Sequence, residues 1–271
     1  LKEQNFNDAE MLESNVVKLD RNNKVRDFFY NRLMFPIANE YGKIVGFGGR
    51  VLDNSNPKYI NSPESDFFKK RNILYNLYNA KQIIRSKKNM LICEGYMDVI
   101  SLYDKNIKTA VAPLGTSLTD NHLQLSWKYV NKPTLMFDGD TSGIKASFKS
   151  AIMSLPYLNP SKLLQFVILP NNYDPDTYIN EFSLNKFATF LKNPLSIVDF
   201  IFQESSKSID LRKSDNKIIF DKYIEEIVSN IKDSKIKYFY KNEFKTLFFE
   251  KLKSFSSKKK SIKIIPKTIS L

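Results

Sequence analysis

The chain has 271 residues and a formal net charge of +13, with 42% hydrophobic and 13% aromatic residues. That length buries a sizeable core and divides into two or three subdomains, and the charge points to a polyanionic partner, nucleic acid or phosphate. A single cysteine, Cys93, excludes an internal disulfide and a cysteine-rich zinc site. No apolar run reaches the roughly 18 to 20 residues of a membrane span and no signal peptide opens the chain, so a cytoplasmic protein without membrane attachment is expected.

Residues 1–30 are polar with scattered apolar positions and support one short helix. From Arg32 the pattern turns strand-like: LMFPIA, then Glu40-Tyr41-Gly42-Lys43, then IVGFGGRVL reads as a hairpin with Gly42 at the reversal. GFGG is a poor dinucleotide loop because no helix follows Gly49. Glycines at 46, 48 and 49 instead permit a bulge or a close backbone approach, and Arg50 leaves them as a lone cation. Pro57 to Lys70 interleaves Lys58, Tyr59, Asn61 and Ser62 with prolines. It reads as an ordinary surface loop, or as one whose ring stacks on a base while the cation takes a phosphate.

Tyr75 to Arg85 is helical by spacing. Met90 to Cys93 is a short apolar run of the kind a strand buried on both faces shows, ending at Glu94-Gly95, and Tyr96 to Tyr103 returns to helical spacing. The alternation repeats. Strands are expected at Thr109–Ala112, Pro133–Phe137 and Leu163–Leu169, with helices from Thr119 to about Val130 and from Thr141 to Leu155 between them. Cys93, His122 and Trp127 are read as packing residues, with a solvent-facing position open for the histidine. After Thr177 everything reads as helix: Phe187–Ile201, Lys217–Ile231 and Lys235–Lys253 form a bundle, and Ser254–Leu271 reads as a basic tail or linker.

Three acidic turns follow apolar strands of one sheet: Glu94, Asp138 with Asp140, and Asp174 with Asp176. Helices between the strands require parallel strands, so these five carboxylates emerge at one edge, where ligands of open α/β sheets bind. Such convergence is unfavourable without cations, and an all-oxygen set suits Mg²⁺ or Mn²⁺. Acidic residues favour turns in any protein. That preference explains one such site well and three consecutive strand ends poorly.

Glu94-Gly95 after one strand and Asp138-Gly139-Asp140 after a later one resemble the TOPRIM domain shared by primases, topoisomerases and some nucleases. The flanks narrow the choice. RLMFPI, GKIVGFGGRVL, PKYINSPES, LICEGYMDVISL, VAPLGTSLT, FDGDTSGIKA and DPDT, in that order over Arg32–Ile179, are similar to the catalytic core of bacterial replicative primases of the DnaG type. The resemblance implies an α/β fold: a TOPRIM-type small parallel sheet flanked by helices (88–180), preceded by a partial mixed α+β subdomain (1–87) and followed by a helical bundle (181–255) and a basic tail (256–271). It implies synthesis of short RNA primers from ribonucleoside triphosphates on a single-stranded DNA template, with Glu94, Asp138 and Asp140 catalytic. Asp98, Asp174 and Asp176 join them around Mg²⁺ or Mn²⁺, and Arg50, Lys58, Tyr59, Asn61 and Lys70 bind nucleotide. The family's Lys-Gly-Arg is Lys70-Arg71-Asn72 here, which leaves the local turn unassigned. Family members also carry a zinc-binding module and a basic first part of the core ahead of this region, and a domain that binds the replicative helicase after it. The chain is therefore expected to be a fragment of impaired activity, with zinc only in the parent's missing module. A TOPRIM nuclease and a non-catalytic single-strand binder are the competing readings.

Overall fold

The computed structural model describes residues 2–170 and 172–260. The amino-terminal part holds α1 (Asp8–Glu13), capped by Asn7, and a hairpin of β1 (Val17–Leu19) and β2 (Val25–Asp27). The single helix expected over residues 1–30 is thus incomplete. Strands of three residues, with only Val17 buried in β1, are too short to show a period.

β3 (Arg32–Ala38) and β4 (Ile44–Val51) pair antiparallel as expected, and Gly42 makes the reversal at φ +86°. A side chain there would be strained at that φ, and its Cβ would stand 2.6 Å from the Tyr78 ring. β5 (Tyr59–Asn61) adds to the far edge of β4 and sets Tyr59 opposite Arg50 and Asn61 opposite Gly48. The stretch read as a loop therefore contributes an edge strand, which the flanking prolines at 57 and 63 had disguised.

Next come α2 (Leu77–Lys87), β6 (Leu91–Ile92), α3 (Tyr96–Asp104), β7 (Ala110–Val111), α4 (Asp120–Trp127), β8 (Thr134–Leu135), α5 (Thr141–Ser154) and β9 (Gln165–Phe166). The remainder is α6 (Pro175–Glu181), α7 (Leu184–Lys192), β10 (Leu195–Ser196), α8 (Ile197–Lys207), α9 (Ser214–Ser229) and α10 (Ser234–Lys260). The central sheet runs β10-β9-β8-β6-β7, with β6 to β9 mutually parallel and β10 antiparallel on β9. Its strands are short, yet the ladder is continuous: Thr134 N–H donates to Met90 O and Met136 N–H to Ile92 O, both at 2.9 Å.

Burial on both faces explains the unbroken apolar runs. One face packs Ile92, Val111 and Leu135 under α2, α4, α5 and the α8–α10 helices, with Phe166 stacked on Phe200 at 4.2 Å between centroids. The other packs Leu91, Cys93 and Val167 under α3, α6 and α7. Each such large side chain contributes about 1.5 to 3 kcal/mol by leaving water.

The helix expected over Phe187–Ile201 is broken. Asn193-Pro194 ends α7, and β10 joins the sheet before α8 begins. Helix α10 continues to Lys260, so the first part of the expected tail is helical, and residues 261–271 lie outside the described residues. Among the described residues no helix is long and apolar enough to cross a membrane.

Candidate active site at the acidic sheet edge

Because β6, β8 and β9 are parallel, the turns that follow them open at one edge. Glu94 follows β6, and its Oε1 accepts the Asp138 N–H at 3.1 Å. This contact depends on Gly143 in the first turn of α5, where a Cβ would stand 2.3 Å from Asp138 O and 2.6 Å from Glu94 Oε1. Burial raises the Glu94 carboxyl, against the Asp138 N–H bond, and the Asp140 charge adds to the rise. Asp138 follows β8, and its Oδ1 is buried without a partner among the described residues. Burial first, then the charges of Glu94, Asp98, Asp174 and Asp140, push it up to about 7.

The other carboxylates are oriented by the chain. Asp140 caps α5 by accepting Gly143 N–H at 2.7 Å. Asp98 is 7% exposed and accepts Gly95 N–H at 3.0 Å; burial pushes it up to about 7 despite that bond. Asp174 caps α6 by accepting Thr177 N–H at 2.6 Å. Asp176 accepts from Ser101 Oγ on α3 and from Asn180 Nδ2 at 2.8 Å, tying α6 to α3. Acidic residues at helix starts are favourable one by one; together they leave a field that a cation relieves. Among the described residues no three of these groups stand together in a way that could hold one metal ion. The set nonetheless fits Mg²⁺ or Mn²⁺: its donors are all oxygen, and Asp138 Oδ1 is a buried acceptor with nothing to accept from.

The β4–β5 pair stands beside this edge. Arg50 Cζ and Lys58 Nζ each lie 5.7 Å from the Tyr59 ring centroid, and the Tyr59 hydroxyl, raised mainly by burial, also feels Arg50 and then Asp98, Asp176 and Asp174. Three polar atoms here are buried without partners among the described residues: Arg50 Nε, Asn61 Oδ1 and Tyr96 OH. Sequence reasoning missed Tyr96, taking it only as the start of a helix. Its ring meets Phe35 at 4.9 Å, Tyr59 at 5.5 Å and Tyr75 at 5.6 Å, and so joins the two sheets. Its place one residue after Gly95 was the available signal.

Lys70 stands apart from this group. Its N–H bonds Glu64 Oε1 at 3.1 Å, its carbonyl accepts from His122 Nε2 at 2.8 Å, and its ammonium lies 6.0 Å from the Phe68 ring. No contact among the described residues joins it to the carboxylates. Lys70–Asn72 is a single 3-10 turn, and Arg71 sits in it without a positive φ, so the turn does not need the family's glycine. His122 is fully buried rather than solvent-facing. It caps α4 with Thr119, and its ring bonds fix α4 to the 3-10 turn. Cys93 and Trp127 are packed as expected, the indole donating to Leu163 O at 2.8 Å.

Residues 1–81 match the family described as DNA primase catalytic core, N-terminal domain, and residues 91–179 match the Toprim-like family. The structure superposes on a DnaG primase catalytic domain bound to ssDNA with a TM-score of 0.83 at 32% identity, covering 91% of this chain and 80% of that one. The chain belongs to the DnaG primase family. The Escherichia coli primase catalytic core gives a TM-score of 0.82 at 32% identity over 90% of this chain and 79% of that one. The DNA primase of Buchnera aphidicola is 35% identical over 256 residues, which is 90% of this chain and 44% of that protein. The chain thus spans less than half the length of this curated relative. The match reaches past the Arg32–Ile179 stretch in which the DnaG-type motifs lie, and takes in the β1–β2 hairpin and the helices after α6.

Proposed function

We propose that this chain is a primase catalytic core that joins ribonucleoside triphosphates on single-stranded DNA through metal-dependent nucleotidyl transfer. The observation that carries this reading is Asp138 Oδ1, buried and unpaired among like charges, with Arg50 and Tyr59 alongside. Glu94, Asp138 and Asp140 would hold a divalent cation, with Asp98, Asp174 and Asp176 around them. Such an ion, when bound, neutralises triphosphate charge and favours ionisation of a 3′-hydroxyl.

The remaining roles belong to the chain. Arg50 and Lys58 offset phosphate charge, Tyr59 offers a ring to a base or sugar, and Asn61 and Tyr96 offer unpaired polar atoms to the nucleotide. The carbonyl of Lys70, not its ammonium, is what the surrounding structure uses, so its nucleotide role is the weakest of the set. A net charge of +13 and the family likeness to a domain bound to ssDNA support template binding.

The test is incubation with a single-stranded template, ribonucleoside triphosphates and Mg²⁺ or Mn²⁺. Dinucleotide formation that is lost in Asp138→Ala supports the reading. Cleavage of the template without nucleotide joining assigns the same carboxylates to a nuclease, and binding without either reaction assigns the chain to template holding alone.

A further inference from the structure

The acidic edge has two flanks. On the α3 and α6 side stand Asp98 and Asp176, with Tyr59 and Arg50 beside them. On the α4 and α5 side Glu94 leans toward Gly143. A cavity of about 320 Å³ opens there between α5 and the loop before α4, with Glu94 in its wall. Phe137 and Ala146 give it apolar lining, and Ser117, Ser142 and Lys149 give it polar lining. Among the described residues these two hydroxyls and this ammonium have no protein partner. The volume lies at the lower end of the roughly 300 to 1,000 Å³ typical of small-molecule sites.

A polymerase that starts without a primer must hold two nucleotides at once, one on each side of its reacting centre. The Arg50 flank carries the cations and the ring that suit a triphosphate. The cavity has one ammonium, so the triphosphate of a nucleotide seated there would extend beyond it, but it offers hydroxyls for a ribose and apolar surface for a base. We propose that this cavity holds the ribonucleotide that supplies the attacking 3′-hydroxyl, with Glu94 between the two substrates. This rests on the polymerase reading above. In the reaction the 3′-oxygen bonds to the α-phosphorus of the other nucleotide and the bond from that phosphorus to the pyrophosphate oxygen breaks. Pyrophosphate leaves, and the hydroxyl proton goes to water.

The probe is GMP, which has the base, the ribose and one phosphate, measured by equilibrium dialysis against the whole chain with GTP in parallel. One equivalent of GMP should bind. Ala146→Phe, which fills the cavity, and Lys149→Ala, which removes its cation, should each weaken GMP by about tenfold or more, equivalent to about 1.4 kcal/mol. Arg50→Ala should weaken GTP and leave GMP within about twofold, well under that tenfold step. Lys149 is exposed, so its variant keeps the proposal testable if Ala146→Phe melts early. Guanosine should displace GMP. Displacement by pyrophosphate but not guanosine would make the cavity a product-phosphate site and overturn the proposal. So would GMP binding that follows Arg50 and ignores both cavity variants. If GTP fails to bind the wild-type chain, the polymerase reading fails, while loss of GMP with an intact Arg50 flank refutes the cavity alone.

Discussion

Asp138→Asn should stabilise the metal-free protein while removing most of its response to Mg²⁺. Asp138 is pushed up to about 7 from 3.8, and Asp98 likewise. A carboxyl that keeps its proton to higher pH in the folded state than in the unfolded one contributes stability that is fully present below about pH 4. That contribution is lost as the pH rises through about 7, so the metal-free fold weakens across this window and then levels off. A shift of about 3 units corresponds to about 4 kcal/mol. Asp138 is only half-buried, and screening by water reduces its share to about 2 kcal/mol. Unfolding entropy of about 2.1 cal/mol/K per residue makes this about 3 to 4 °C for a chain of this size.

In EDTA at pH 8 the variant should therefore melt about 3 to 4 °C above the parent, and the two should converge near pH 4. Mg²⁺ at about 100 times its Kd should raise the parent by about 2.7 kcal/mol, or about 5 °C, and the variant by less than half of that. Thermal melts followed by circular dichroism read both effects. A variant that melts below the parent in EDTA at pH 8, or that keeps the full Mg²⁺ shift, would refute the placement of Asp138 at the centre of the field.

Gly143→Ala should abolish the Mg²⁺ shift and lower the melting point, reversing the gain of about 1 kcal/mol that Gly→Ala usually gives inside a helix, because the new Cβ meets Asp138 O and Glu94 Oε1. His122→Ala should cost about 2 to 4 kcal/mol in urea unfolding, through lost packing and an unsatisfied Lys70 carbonyl, and leave the pH profile of nucleotide joining unchanged. Lys58→Ala should weaken GTP binding at least about tenfold in equilibrium dialysis, whereas Lys251→Ala on α10 should leave it unchanged; equal losses would reduce Lys58 to general positive charge. Binding to single-stranded DNA, followed by fluorescence anisotropy, should fall with salt at a log–log slope of about −0.7 per phosphate contact. A flat salt response would remove the charge from the account of template binding.

The fold was legible wherever one period spoke for itself. Apolar runs closed by Glu94, Asp138 and Pro170 marked the parallel strands, because burial on both faces favours apolar residues and admits Thr134 and Gln165 only as a hydrogen-bonded pair. Asn193-Pro194 was equally visible as a breaker, yet the apolar positions on either side of it kept helical spacing, and the two-residue strand β10 has no pattern of its own. β5 was obscured for a related reason. Its pairing with β4 is a tertiary fact, set by the register that puts Tyr59 opposite Arg50.

The site divides along the same line. The carboxylates could be placed from sequence because strand direction alone sends their turns to one edge. Asp98 was indicated only by the family resemblance, since it lies inside helical spacing, and its reach back to Gly95 N–H appears only in three dimensions. Contacts between elements were beyond reach for the same reason: a Cβ on Gly115, held at φ +62°, would stand 2.7 Å from Asn61 Nδ2, and one on Gly48 3.1 Å from Asn61 Oδ1. These glycines keep Asn61 pressed between the β3–β5 sheet and the parallel sheet, close enough that its Oδ1 is buried yet unpaired. An unpaired buried polar atom costs about 1 to 3 kcal/mol, and a ligand that supplies the missing donor or acceptor offsets that cost. Asn61, Arg50 and Tyr96 carry that cost on one flank of the acidic edge, and Asp138 carries it at the centre. Four of the five buried, unpartnered side-chain atoms among the described residues therefore gather where the proposed triphosphate and its cation would sit, the fifth being Ser205 Oγ on α8.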